Sequence, residues 1–161
     1  MVHKFSLLLN TFLSFIFIGI VTYQIIATPE LDGSGISAVS YVLIVYPSFL
    51  WLNYICFKAI RAAKESAIAI QQEKTGKVLS IIVIIFAIVT IIFSLLALVP
   101  FLANQSMAKG PQLVGLIIVT IVSSLSAVTA IFNAVYYRKL VKQNKAIVNS
   151  VINTIGENTS Q

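Results

Sequence analysis

Charge is confined to a few short stretches of this chain, and between them lie four uncharged windows, residues 5–29, 33–57, 78–108 and 110–137, each at least 25 residues long. A helix rises about 1.5 Å per residue and a bilayer's hydrocarbon core is about 30 Å thick, so each window is long enough to cross it. The mean hydropathy of +0.97, with only 10% charged residues, would leave a protein in water with more apolar surface than a core of this size could cover. The pattern therefore predicts an all-α, four-pass membrane bundle forming one domain. Its spans are expected at residues 5–27, 36–57, 78–103 and 111–137.

The placement of the basic residues gives an expected orientation. If the chain crosses four times, Lys4, Lys58, Arg61, Lys64, Lys74, Lys77, Arg138, Lys139, Lys142 and Lys145 share one side and Lys109 alone takes the other. Such a bias puts both termini in the cytoplasm, and it accounts for the net charge of +6 without nucleic acid as a partner. The lipid bilayer is the one partner the composition names. Short loops and the absence of an outer domain lean toward a bacterial cytoplasmic (plasma) membrane. A competing reading takes the first apolar run as a signal peptide cleaved after Ala27, which would leave three passes.

Local signals refine the elements. Thr28-Pro29 should end the first helix, because the residue before proline is pushed out of helical geometry. Pro47 falls mid-window in the second span and is a candidate kink. Residues 58–77 are rich in strong helix formers through Glu73, so the second helix is expected to overrun the membrane and turn at Lys74 to Gly76. No breaker follows Tyr137, so the fourth helix is expected to continue as a cytoplasmic tail over 138–155, with residues 156–161 as a disordered polar end. Within that tail Val148, Val151 and Ile155 are candidate docking residues for a partner.

Two residue patterns carry most of the remaining information. The first is steric. Thr120, Ser123, Ala127, Ala130 and Ala134 form a small-residue seam at alternating spacings of three and four on the fourth span. Ser80, Ala87, Thr90, Ser94 and Ala97 follow the same rule on the third, with Val83 interrupting between Ser80 and Ala87. Lipid is as apolar as leucine, so membrane helices associate by close backbone approach, which small side chains permit. The seams are expected to mate the third and fourth helices into a hairpin, or else to form an interface between copies or line a pore.

The second pattern is polar. Asn10, Ser14 and Gln24 fall on one face of the first span, and Asn53 and Asn133 lie in the second and fourth. An unpaired amide in hydrocarbon costs several kcal/mol, so these side chains are expected to point inward as clamps between helices. What the windows lack is equally specific. They contain no Asp, Glu, Lys, Arg or His, so they offer no proton carrier, no substrate counter-ion, no Ser/His or paired-Asp catalytic set and no histidine metal ligand. Cys56 is the single cysteine and His3 the single histidine, which removes intrachain disulfides and His/Cys metal sites. No catalytic residue and no cofactor is expected. The reading is of a non-enzymatic membrane protein acting through assembly, as scaffold, accessory subunit or regulator of a membrane partner; the alternatives are a homo-oligomeric pore and a carrier of an uncharged small molecule.

Overall fold

The computed structural model describes residues 2–27, 33–64, 73–96, 99 and 111–158. They form four α-helices: α1 (Val2–Ala27), α2 (Gly33–Lys64), α3 (Glu73–Leu96) and α4 (Pro111–Asn158). All four are long and apolar enough to cross a membrane. In the bundle α3 packs most extensively on α4, α1 lies between α2 and α4, and α2 reaches across to α4 through the centre, leaving α1 and α3 diagonally apart.

Polarity is inverted relative to a protein in water. Asn10, Ser80, Ser126 and Asn133 are at most 1% exposed, whereas Phe5, Phe12 and Ile26 on the outer faces are 64–75% exposed. Apolar side chains outside and amides inside form the arrangement that lipid favours, because the hydrocarbon cannot hydrogen-bond a polar group. The apolar core is concentrated on α2, whose Tyr46 ring stacks on Phe17 of α1 at 4.7 Å and meets Phe49 edge-on at 5.5 Å.

The α3–α4 hairpin is built on the small-residue seams. Ser94 and Ser123 hydroxyls lie 2.6 Å apart toward one end, and toward the other Arg138 Nε donates to Ser80 Oγ at 3.1 Å. These two contacts set an antiparallel register with Ala87 level with Ala130, Thr90 with Ala127 and Val83 with Ala134. All six of those residues are buried. Ala97 lies outside the described residues.

Several helix ends differ from the sequence expectation. α1 begins at Val2 and includes His3, whose ring stacks on Tyr136 at 3.7 Å and on Phe132 at 5.1 Å; this aromatic contact gives the first turn a partner that local propensity does not reveal. Lys74 to Gly76 are not a turn but the first turn of α3. Gly76 is there for packing: a Cβ at this position would fall on the Tyr137 ring, so the missing side chain lets α3 approach α4. α2 is described through Lys64, and the expected overrun beyond it, like the two outer turns and the far end of the third span toward residue 103, falls outside the described residues. α4 is one uninterrupted helix through the tail and passes Gly156 to end at Asn158. α2 remains a single helix through Pro47, which is exposed to the outside of the bundle.

Over-packing the seam should separate it from the lipid face. Ala127→Leu, at a fully buried position, is expected to cost about 1–3 kcal/mol. Ile118→Leu, at a position 55% exposed, is expected to stay within about 0.5 kcal/mol. Thermal unfolding of both variants in the same mild detergent checks this.

Candidate functional site: an interhelical amide network

Asn10 of α1, Asn53 of α2 and Asn133 of α4 converge at the centre of the bundle. Asn133 Nδ2 donates to Asn53 Oδ1 at 3.0 Å, and Asn53 Nδ2 donates to Asn10 Oδ1 at 2.8 Å. Asn10 Nδ2 in turn donates to the Ser126 carbonyl at 2.7 Å and to Thr129 Oγ1 at 2.9 Å. At the other end Ser6 Oγ donates to Asn133 Oδ1 at 2.8 Å. Asn53 Nδ2 also reaches Thr11 Oγ1 at 3.1 Å, and the Cys56 thiol points at the Asn133 carbonyl at 3.7 Å.

The direction of this chain follows from one group. A backbone carbonyl can only accept, so the Asn10 atom facing Ser126 must be its NH₂. Asn10 Oδ1 then faces Asn53, whose NH₂ must supply the proton; Asn53 Oδ1 consequently accepts from Asn133, and Asn133 Oδ1 from Ser6. Each amide both accepts and donates in the same sense, an arrangement in which neighbouring bonds polarise one another. Three helices are thereby tied at one level, and α3 is tied separately: Tyr41 of α2 lies 2.8 Å from Thr90 Oγ1, and Ser94 pairs with Ser123 of α4.

The remaining candidate residues are distributed as follows. Ser14 is fully buried, yet its hydroxyl has no partner among the described residues. Gln24 is in α1, but its side chain lies outside the described residues. Thr120 is buried in α4. Val148 is half-buried and Val151 is 48% exposed; the Ile155 side chain lies outside the described residues. The sequence reading did not single out Ser6, Thr11, Ser126 or Thr129 as network members. A signal was present, since Ser126, Thr129 and Asn133 recur at three and four residues on one helical face and Ser6 stands one turn before Asn10.

Chemically the network can hold helices and little else. None of its side-chain amides or hydroxyls titrates near neutral pH. The amide groups of Asn53 and Asn133 are engaged at both oxygen and nitrogen. Among the described residues no group of three or more His, Cys, Asp or Glu side chains comes together. No protein-family model, curated protein or solved structure matches this chain.

Asn53 occupies the middle of the relay, so Asn53→Ala leaves both Asn10 Oδ1 and Asn133 Nδ2 without a partner. It is expected to cost about 2–3 kcal/mol, and the double change Asn10→Ala with Asn53→Ala should cost less than the sum of the single changes. Ser14→Ala, which removes an unpartnered hydroxyl, should cost nothing measurable. Denaturation in mixed micelles, read by helix content, resolves the two single asparagine variants, their double and Ser14→Ala.

Proposed function

We propose that this chain is a non-enzymatic integral membrane protein that works by assembly, as scaffold, accessory subunit or regulator, and that it engages its membrane partner through the protruding end of α4. In this reading both termini face the cytoplasm of a bacterial cell, because ten of the eleven Lys and Arg residues then share that side.

The observation that carries the reading is the length of α4. Its 48 residues correspond to about 72 Å, more than twice the hydrocarbon thickness. Val141 is the last residue of the buried core, and beyond it Ile147, Val151 and Ile152 are 48–60% exposed. Lys139, Lys142 and Lys145 mark this segment as lying past the apolar window, where exposed aliphatic side chains would meet water unless another surface covers them. Val148, Val151 and Ile155 are the proposed centre of that docking surface, with the partner either a different membrane protein or a second copy of this chain.

Other observations weigh against the alternatives. A pore lined by the seam would need its hydroxyls turned to water, but Ser94 and Ser123 bond each other and Thr90 bonds Tyr41 and the Phe86 carbonyl. A carrier would need amides free to meet a solute, and those of Asn10, Asn53 and Asn133 are bonded to one another. The uncharged windows hold no Asp, Glu, Lys, Arg or His, so a hydroxyl or thiol within them has no neighbouring general base of the usual kind to activate it.

Two measurements test the proposal together. Purified protein in liposomes should conduct no ions and pass no small neutral solutes above the level of protein-free vesicles. In cells, a photo-crosslinker placed at position 152, which is 60% exposed, should give one discrete adduct, lost in Val148→Asp with Val151→Asp while the unfolding temperature of the bundle is unchanged. Protein-dependent flux, or an adduct insensitive to the two aspartates, would contradict it.

A further inference from the structure

The amide network is not enclosed on every side. Thr11 and Asn53, bonded to each other, also form part of the wall of a groove of about 390 Å³ between α1 and α2. The rest of its wall is almost entirely apolar, with Leu8, Phe15, Tyr54 and Phe57 prominent, and Lys4 stands at one end. The groove runs alongside α1 from Lys4 to Phe15, eleven residue-to-residue steps or about 16 Å along the helix axis. Its volume lies within the range of sites that take a small ligand.

The two ends of this groove differ in chemistry. Phe15 is well inside the apolar segment His3–Tyr23, and Lys4 is at that segment's edge, so a bilayer matched to the segment would set its phosphates near Lys4. The Lys4 side chain is exposed and has no ion-pair partner among the described residues. A long apolar channel that ends at an unneutralised ammonium complements a molecule with an acyl chain and an anionic head.

We propose that this groove is a binding site for an anionic phospholipid, one acyl chain lying between α1 and α2 and the phosphate resting on Lys4. A chain seated there would cover the Thr11–Asn53 flank of the network and keep interfacial water from competing for its hydrogen bonds. The site is independent of whether α4 docks a partner, since it uses neither the tail nor its lysines.

The test uses the full-length protein in nanodiscs with a phosphatidylglycerol carrying a photoactivatable group in its acyl chain, compared with the phosphatidylcholine of identical chains. Both lipids carry the phosphate, but in phosphatidylcholine the choline cation offsets it and repels Lys4; one lysine facing a net-anionic headgroup at the membrane surface corresponds to about fivefold selectivity. Labelling of groove residues such as Leu8 and Phe57 should therefore be about fivefold stronger with phosphatidylglycerol, and Lys4→Gln should bring it down to the phosphatidylcholine level. Lys74→Gln, on α3 diagonally across the bundle from α1, should leave the preference intact. Leu8→Trp, which fills the channel, should reduce labelling of Phe57 by both lipids. Equal labelling by the two lipids, labelling of the outward face of α3 at Ile85 and Ile92 as strong as that of the groove, or a preference that survives Lys4→Gln would overturn the proposal.

Discussion

A carboxamide in hydrocarbon has nowhere to place its hydrogen bonds except on another protein group, and this requirement organises the bundle. Asn10, Asn53 and Asn133 come from three different helices, so satisfying one amide fixes the height and rotation of two others. A one-residue slide of any of these helices would rotate its asparagine by about 100° and leave partners on both sides unpaired. Packing of Ile, Leu and Val against one another supplies no comparable register, because lipid offers those side chains nearly the same contact.

The fourth helix of the set is held differently. α3 carries no amide in its described span and is joined to α4 by a seam of small residues, with hydroxyl and guanidinium contacts at either end. Close approach is what such a seam provides, and Gly76 against Tyr137 extends it beyond the serine contact at position 80. The molecule thus combines a directional polar clamp among α1, α2 and α4 with a shape-based clamp between α3 and α4. Both lie inside the bundle, while among the described residues the apolar outer face, the α1–α2 groove and the end of α4 are open to other molecules.

Most of the architecture is legible in the sequence because four uncharged windows of this length have few alternatives. The three asparagines stand out for the same reason: an amide is conspicuous among aliphatic residues, and its cost in lipid forces it inward. Ser6, Ser126 and Thr129 are far less conspicuous, since a serine or threonine in a helix can return its hydroxyl to a carbonyl one turn back, as Thr11 does to Leu7 and Ser48 to Ile44. Helix ends were the least legible. Lys74 to Gly76 have the composition of a turn, and only the Tyr137 ring on the facing helix explains why glycine sits within α3. His3 likewise owes its place in α1 to rings more than 125 positions away in sequence.

The central claim is that the three side-chain amides form one shielded relay within a lipid-solvated bundle. Nitrogen-resolved NMR of the protein in lipid nanodiscs, following solvent exchange of the Asn10, Asn53 and Asn133 NH₂ protons, addresses it directly. The expected result is exchange slowed by orders of magnitude for all three, with through-space contacts from the Asn53 NH₂ to α1 and from the Asn133 NH₂ to α2. Exchange at the rate of a free asparagine, with those contacts missing, would contradict it.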